Sequence, residues 1–458
     1  MLIVQICEIL DTGDGVHRLH GPGRALSRCP GVTVVDCPLR HHLRRGLVER
    51  ADVLILAAWD WDDLPLLELR RKAGRVTVVE ANDHYFALPA GHYLSQTWND
   101  REQQQWFIQT LRQADGVQTS VPALARLWQN HTTRPMAIFR NRLDDVSDLP
   151  ARPDRPLTIG WGGSAGHLAD WHSLSALLQR WLDRHPEIHL AVMTHESARA
   201  YFSLPPARYH FETFGPFADY LRFLDRLDIG FAPLLPTAFN RCRSDVKFLE
   251  YASRGVVGIF PELEPYRDSV IQGQTGLLYR DDEELFRQLD RLAADEDLRR
   301  QLRCQAHAFV QSQRLSDHIG ERLQFYRQLL AQVRPAHTRG PAPVVPADLG
   351  SEVLSWADRD GQYLQLVPGA PEFILQWANR GSATREKLGK VCDVAEAYPD
   401  YGFALKTAGY MAMDLGELHL AAKYFRRAVR LDRHSTQNRA ALQRVARLLE
   451  QSVPREPK

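Results

Sequence analysis

The chain has 458 residues, of which 44% are hydrophobic and 25% charged, and its formal net charge is +1. This composition is that of a globular protein of roughly three domains, and it excludes bulk electrostatic binding of nucleic acid or of an anionic membrane. No run of about 18 apolar residues occurs, and the N-terminal segment lacks a basic start, so the sequence predicts neither a membrane span nor a signal peptide. Six scattered cysteines, none in a Cys-x-x-Cys pair, predict reduced thiols and a cytoplasmic protein.

Strands and helices alternate over the first third of the chain. Short apolar runs predict strands, and longer segments with helical periodicity lie between them. The predicted strands are 2–6, 32–35, 51–58, 75–80, 116–119 and 136–139, and the predicted helices are 19–27, 63–72, 103–114 and 122–128. This order predicts an open parallel sheet with helices on both faces.

The same alternation begins again after a stretch rich in Asp, Pro and Arg at 144–156, which is typical of an interdomain linker. The predicted strands are 157–161, 189–193, 229–233 and 256–260, and the predicted helices are 174–185, 244–254, 281–294 and further segments to about 333. Two consecutive open α/β sheets predict a ligand cleft between them, at the carboxyl ends of the strands.

The strongest chemical signal is the helix predicted to begin at Ser244, where an N-cap residue is expected, and to end before Gly255. Arg243, Lys247 and Glu250 recur on one face of this helix. A cationic helix start suits a phosphate, and a carboxylate two turns further on can accept hydrogen bonds from hydroxyls. This pattern indicates a nucleotide-sugar site, and the alternative is a surface helix with internal ion pairs.

Candidate metal ligands lack a suitable spacing. His185 and His189 are separated by Pro186, so they do not share a helix face. Asp60 and Asp62 form an Asp-x-Asp motif of the kind found in metal-dependent transferases, but a helix cap before Pro65 explains this motif better. The sequence therefore predicts no bound metal.

A Pro-rich linker is predicted at 334–350 and a helical module at 351–452. Pro399 precedes Arg433 by 34 residues, and small or aromatic residues stand at the positions typical of a tetratricopeptide repeat: Gly409, Gly416, Ala421, Phe425 and Ala428. The alternative is a plain helical hairpin. Because such repeats bind partners along a concave face, a protein partner is expected here.

Several segments, taken in order, resemble one enzyme family. They are DTGDGVHRLHGPGRAL, VTVVEANDHYFALP, LRQADGVQTSVPAL, FRNRLD, IGWGGSAGHLAD, FNRCRSDVKFLEYASRG and YRDSVIQGQTGLLYRDDEEL. Together they cover about 330 residues, and over that length the chain resembles the GT-B glycosyltransferases of family 4. The resemblance implies two Rossmann-like domains that face a cleft, followed here by an all-α helical repeat module. The acceptor-side domain would be 1–145 and the nucleotide-sugar domain 157–333.

The resemblance also implies a reaction. The protein would move a sugar from a nucleoside diphosphate sugar, a UDP- or GDP-sugar, to an acceptor hydroxyl, with retention and without a metal. No tightly bound cofactor is expected, and the acceptor would be a glycan, a lipid-linked sugar or a protein.

Site residues follow from the matched segments. Glu250 matches the second glutamate of the family's E-x7-E pattern, which typically holds ribose hydroxyls, but Cys242 stands where the first glutamate would be. The donor-binding residues implied are Gly13, Gly15, Gly162, Gly163, Ser164, Arg243, Ser244, Lys247 and Glu250. Asp83 or His84 is implied to bind the acceptor or to help take its proton. His167 and Asp170 are implied as helpers near the glycine-rich segment 162–164, and His167 is counted with Asp83 and His84 as a candidate catalytic residue.

Two rival hypotheses stay open at this point. The first is an inverting transferase with Asp83 or His84 as the general base. The second is a non-catalytic nucleotide-binding or scaffold protein that acts through its helical repeats. Cys242 favours this hypothesis, and Arg243, Lys247 and Glu250 oppose it.

Overall fold

The computed structural model describes residues 1–8, 13, 15–58, 63–151, 155–316, 318–333, 353–354, 362–433 and 435–452. The predicted linker at 334–350 and the Asp-x-Asp motif at 60–62 lie outside the described residues. So do residues 9–12 and 14 of the first loop, which connects the predicted strand 2–6 to the predicted helix 19–27.

The N-terminal region forms the first sheet domain. Its strands are β1 (Leu2–Cys7), β2 (Thr33–Pro38), β3 (Val53–Leu56), β4 (Val76–Glu80), β5 (Gly116–Thr119) and β6 (Met136–Ile138). Its helices are α1 (Gly21–Ser27), α2 (Arg44–Arg50), α3 (Asp63–Lys72), α4 (Ser95–Trp98), α5 (Arg101–Gln113) and α6 (Pro122–Gln129). The strands pair in parallel in the order β2-β1-β3-β4-β5-β6. The Val, Ile and Leu runs of β1 to β4 are buried because helices cover both faces, whereas Ile138 of the edge strand β6 is 41% exposed.

The second sheet domain repeats this architecture. Its strands are β7 (Thr158–Gly162), β8 (His189–Thr194), β9 (Tyr209–Thr213), β10 (Ile229–Phe231), β11 (Val257–Pro261) and β12 (Leu277–Tyr279). Its helices are α7 (Leu168–Arg184), α8 (Phe217–Leu224), α9 (Ala238–Arg241), α10 (Val246–Ser253), α11 (Glu264–Arg267), α12 (Asp282–Ala294), α13 (Glu296–Gln313) and α14 (Gly320–Val333). The parallel strand order is β12-β11-β10-β7-β8-β9. The predicted pair of open α/β sheets is confirmed.

Helix α14 leaves the second domain and packs on the first sheet. Leu323, Tyr326 and Leu329 are buried in one apolar cluster with residues of β1, β2, β3 and β4. The Tyr326 hydroxyl donates to Gln118 Oε1 at 2.7 Å. The crossing helix therefore ties the two domains together behind the cleft.

Two strands extend the first sheet beyond the prediction. These are β13 (Val353–Leu354) and β14 (Tyr363–Leu366), and β14 pairs in parallel with β2 while β13 is antiparallel to β14. The sequence interpretation treated 351–452 as helical and missed them. The hydroxyl of buried Tyr363 donates to Asp36 Oδ2 at 2.6 Å and lies 2.8 Å from His20 Nδ1. The helical module is thus anchored to the first domain through a sheet edge.

Tyr363→Phe tests this anchor. We expect the substitution to lower the free energy of unfolding by about 1–3 kcal/mol, because Asp36 loses a buried hydrogen bond. Urea unfolding measures the change, with Tyr410→Phe as the matched control because Tyr410 is 42% exposed. An equal, negligible effect of both substitutions would contradict the anchoring role.

The C-terminal region is the helical module. Its helices are α15 (Ala370–Ala378), α16 (Arg385–Ala397), α17 (Gly402–Asp414), α18 (Leu418–Leu431) and α19 (Thr436–Ser452), and each packs on the next. Gly409 of α17 has room only for hydrogen, since a Cβ there would lie 2.8 Å from the Phe425 ring on α18. Its assignment as a tetratricopeptide repeat stays a prediction. None of the described helices has the length and apolar character that crossing a membrane requires.

Candidate active site between the two sheet domains

Glu250 is the centre of a buried polar cluster at the domain boundary. Its carboxylate accepts hydrogen bonds from Tyr220 Oη at 2.9 Å and from Lys247 Nζ at 3.0 Å. His17 Nε2 of the first domain lies 3.2 Å from the other carboxylate oxygen. Lys247 Nζ also lies 2.8 Å from the Tyr220 hydroxyl. The cluster joins α8 and α10 of the second domain to the segment before α1 of the first.

Electrostatics keeps this carboxylate ionised. Burial by itself would raise the pKa of Glu250, but the charge of Lys247 and the hydrogen bond from His17 lower it to about 2. Burial and the neighbouring carboxylate raise the pKa of Tyr220 well above its ordinary value. A charged acceptor therefore stands beside a lysine ammonium and a neutral phenol.

A second cluster is built around Arg243, which precedes α10. Its Nη1 donates to both carboxylate oxygens of Asp83 in the first domain, at 3.0 and 2.8 Å. Its Nη2 lies 2.7 Å from His167 Nε2. Because a guanidinium only donates, this histidine nitrogen must accept, so Nδ1 of His167 carries the proton and donates to Asp170 Oδ2 at 3.1 Å.

The protonation of His167 follows from this arrangement. Burial and the charge of Arg243 both lower its pKa, so His167 is neutral at pH 7. Asp170 is held in place by further donors, the Leu235 backbone N–H at 2.8 Å and Asn240 Nδ2 at 2.7 Å. Asp83, His167, Asp170 and Arg243 thus form one chain of hydrogen bonds across the domain boundary.

Ser244 does not cap the helix, contrary to the prediction. Helix α10 begins one residue later, with Asp245 at the N-cap position and no side-chain cap. Asp245 is instead paired with Arg314 at 2.7 and 3.1 Å. The Ser244 hydroxyl accepts a hydrogen bond from Asn141 Nδ2 of the first domain at 2.9 Å. The predicted helix stop is present, since Gly255 has a φ of +65°.

Cys242 is part of the apolar packing at the domain boundary. It is 8% exposed and lies in one cluster with Tyr85, Trp98 and Trp128 of the first domain. Burial raises its pKa to about 11, so the thiol is neutral. Cys242 therefore contributes packing here and no charge.

The glycine-rich segments are positioned differently from one another. Gly162 is the last residue of β7 and lies against the Tyr220 ring. The Gly163 N–H donates to Met193 O at 2.9 Å, so it is already used in a backbone hydrogen bond. Ser164 follows them, at the N-cap of the short turn Ala165–His167. Gly13 has open space around its Cβ position, and Gly15 is buried at the start of the π-helix Gly15–His20.

Gly162→Ala is expected to disturb the Glu250 cluster from behind. An added Cβ would lie 2.6 Å from Tyr220 Cε2, so the ring that donates to Glu250 must move. We expect a loss of about 1–3 kcal/mol in unfolding free energy. Gly389→Ala on α16, which has open space, is the control and should stabilise by about 0.5–1 kcal/mol. Similar values for the two variants in urea unfolding would rule out close packing at Gly162.

His84 stands apart from both clusters. Its ring packs edge-on against Trp128 at 6.3 Å, and its Nδ1 has no hydrogen-bond partner among the described residues. Burial and His131 lower its pKa. His17 and Tyr220 are the members of the Glu250 cluster that sequence reasoning missed. A histidine in the predicted first loop was the available signal for His17, whereas Tyr220 carries no motif.

A group able to hold a metal ion occurs elsewhere in the described chain. His41, His42 and Glu372 bring their ligand atoms within 4.8 Å of one another, where the first domain meets the helical module. Hydrogen bonds already engage them: His41 Nε2 lies 3.1 Å from Val367 O, and His42 Nδ1 lies 2.9 Å from Glu372. These hydrogen bonds hold the first domain and the helical module together.

Comparisons with known proteins agree with this fold. Residues 173–324 match the model of a family described as "Glycosyl transferase-like". The search of curated proteins gave no match. Anabaena HepE in complex with UDP and glucose is similar in structure, with a TM-score of 0.52 and 12% identity over 72% of this chain and 99% of HepE. Sucrose-phosphate synthase from Thermosynechococcus elongatus has a TM-score of 0.53 and 14% identity over 72% of this chain and 99% of that one.

A more distant similarity is to TarM, with a TM-score of 0.47 and 7% identity, over 65% of this chain and 54% of TarM. The fold is GT-B, with a helical module added after the two sheet domains. The second sheet domain carries the glycosyl transferase-like match. Membership of family 4 stays a prediction.

Proposed function

We propose that the protein is a glycosyltransferase that moves a sugar from a nucleoside diphosphate sugar to an acceptor hydroxyl, with retention and without a metal ion. The observation that carries the proposal is the ionised, buried Glu250 beside Lys247 on α10, at the boundary of the two sheet domains. HepE, a protein of the same fold, has been solved in complex with UDP and glucose and in complex with UDP-glucose. The same donor class suits this cleft.

Each charged group has a role in this reaction. Glu250 accepts hydrogen bonds from ribose hydroxyls in exchange for one of its present donors. Lys247 and Arg243 neutralise the diphosphate, whose negative charge grows as the glycosidic bond breaks. Arg243 must exchange Asp83 for phosphate oxygens to do so, and this exchange frees the Asp83 carboxylate to accept a hydrogen bond from the acceptor hydroxyl. His167 holds Arg243 in place through its neutral Nε2.

The remaining parts of the proposal concern the donor and its surroundings. UDP and GDP are the candidate donor nucleotides, and a glycan, a lipid-linked sugar or a protein is the candidate acceptor. Gly13, Gly15, Gly162, Gly163, Ser164 and Ser244 line the donor site in this proposal. We place the reaction in the cytoplasm, where nucleotide sugars are made.

Release of the nucleoside diphosphate tests the proposal without a known acceptor. The protein is incubated with UDP-glucose, UDP-N-acetylglucosamine or GDP-mannose, with and without EDTA, and free UDP or GDP is measured. We expect release from one donor, unchanged by EDTA. Lys247→Met should lower it about 100-fold, and Lys390→Met on the exposed face of α16 should leave it unchanged. The anomeric configuration of a product, read by NMR, separates retention from inversion.

The rival hypothesis is a nucleotide-binding or scaffold protein without activity. The bidentate pair of Arg243 and Asp83 and the packed Cys242 favour it, because these groups are satisfied without a ligand. The test requires a folded protein. If that protein binds a nucleotide but releases no UDP or GDP from any of the donor sugars, this alternative is established and the transferase is excluded.

A further inference from the structure

A cavity of about 480 Å³ lies between the first sheet domain and the helical module, away from the candidate active site. Helices α2 and α3 form one wall, and the start of α17 and the end of α18 form the other. None of its lining residues belongs to the Glu250 or Arg243 clusters. Both parts of the chain are needed to build it.

The lining of this cavity is strongly cationic. It carries eight arginine or lysine side chains and three carboxylates, in a chain whose overall formal charge is only +1. Arg45 is paired with Glu49, and Arg70 is buried against backbone carbonyls. Within the described part of the chain no ion pair neutralises Arg75, Arg430 or Arg433. These three guanidinium groups are therefore available to pair with an anionic ligand.

Apolar groups lie among these cations. Leu69 of α3 is 50% exposed and lines the cavity. The Arg40 guanidinium stacks over the Phe403 ring of α17 at 4.8 Å from its centroid. A ligand that fills the cavity must therefore bring both negative charge and apolar surface, which a uniformly polar anion such as a sulfated glycan does not do.

A neighbouring cavity borders this one. It has a volume of about 530 Å³, runs along α17 past the exposed Tyr410, and shares the lining residues Arg40, Phe403 and Lys406. Together they form an elongated groove along the junction and the helical module. An extended chain suits such a groove better than a compact small molecule.

We propose that this groove binds an acidic, extended peptide segment of a protein partner, in which apolar side chains alternate with carboxylates. The carboxylates pair with Arg40, Arg75, Arg430 and Arg433, and the apolar side chains pack on Leu69 and Phe403. The first sheet domain supplies half of the contacts, so the helical module alone is an incomplete binding site. The inference is independent of the transferase reaction.

Fluorescence anisotropy of the full chain tests the proposal. The probe is a fluorescein-labelled peptide of alternating Glu and Leu, and a peptide of alternating Lys and Leu is the charge-reversed control. We expect the acidic peptide to bind and the basic peptide not to bind. The affinity for the acidic peptide should fall as the salt concentration is raised. The triple variant R75Q/R430Q/R433Q should bind about 10-fold or more weakly. The variant R287Q/R291Q/R300Q removes the same charge from α12 and α13 and should bind as the native chain does.

Leu69→Ser separates the apolar contribution from the charge. It should weaken binding of the Glu–Leu peptide several-fold and leave unchanged any binding of a heparin fragment, which engages only the cations. Circular dichroism of each variant verifies folding. The proposal is overturned if the native chain fails to bind the acidic peptide, if the triple variant binds it equally well, or if heparin binds and the peptide does not, which would indicate an anionic glycan site.

Discussion

Glu250→Ala is expected to lower the free energy of unfolding by about 3–5 kcal/mol, the largest effect of any substitution in the cleft. The change removes the partner of Lys247 and leaves that ammonium, 14% exposed, beside a buried phenol without a counter-charge. It also removes the acceptor facing His17 and so loosens the contact between the domains. Urea unfolding measures the loss, and nucleotide binding should disappear with it.

The pH dependence gives a sharper form of this prediction. The pKa of Glu250 falls from an ordinary 4.5 to about 2 on folding, so its stabilisation is present above about pH 4.5 and is lost as the pH falls through 2. The shift corresponds to about 3 kcal/mol. The stability difference between the native chain and Glu250→Gln should therefore shrink steadily from pH 5 towards pH 2.

Glu283→Gln on α12 is the matched control for the Glu250 variants. Its carboxylate is 87% exposed and makes only an i,i+4 surface pair. We expect its effect to stay within about 0.5 kcal/mol at every pH. A Glu250→Gln variant as stable as Glu283→Gln at pH 7 would mean that Glu250 is not the buried, paired carboxylate described above.

Arg18→Met is expected to cost about 3–5 kcal/mol through a different charge. Arg18 is buried and donates to Glu80 Oε1 at 3.0 and 2.6 Å, to Phe139 O at 2.6 Å and to Asn141 Oδ1 at 3.0 Å. Glu80 is inaccessible to solvent, so the substitution leaves a buried carboxylate with Gln118 as its remaining neutral donor.

A second substitution tests whether that buried charge is the cause. Arg18→Met combined with Glu80→Gln should recover at least about 2 kcal/mol of the loss, because position 80 then carries no buried charge. Arg101→Met at the exposed start of α5 serves as the control and should change stability by less than about 0.5 kcal/mol. A double variant no more stable than Arg18→Met alone would show that packing, and not charge, determines the effect.

Local pattern was sufficient to predict most strands of the two sheets. These strands are short buried runs of β-branched and aliphatic residues, and a helix must follow each one for the next to be parallel. Strand β9 (Tyr209–Thr213) was not predicted, because its residues are mostly aromatic or polar and only partly buried. Strand β14 escaped prediction because Tyr363–Leu366 is only four residues long and pairs with β2, which lies more than 300 residues earlier. Such a pairing leaves no periodic signal.

The contacts of the candidate site are also of two kinds: some could be predicted from local spacing, and others could not. Lys247 and Glu250 are one helical turn apart, so their contact could be predicted from spacing. His17 and Asp83 contact the second domain across 233 and 160 residues, respectively, and only the docking of the two domains creates those contacts. The Ser244 cap failed for this reason as well, since Asn141 of the other domain supplies the hydroxyl's donor.

The most direct test of the account is a nucleotide-binding panel on the intact chain. UDP, GDP, ADP, CMP and dTDP are added in turn to the native protein, Glu250→Gln and Glu283→Gln, and thermal unfolding is followed. We predict that one nucleoside diphosphate stabilises the native chain and Glu283→Gln by about 2–3 kcal/mol at a concentration of about 100 Kd, and leaves Glu250→Gln unchanged. Stabilisation by none of the five, or equal stabilisation of Glu250→Gln, would contradict a donor site at Glu250.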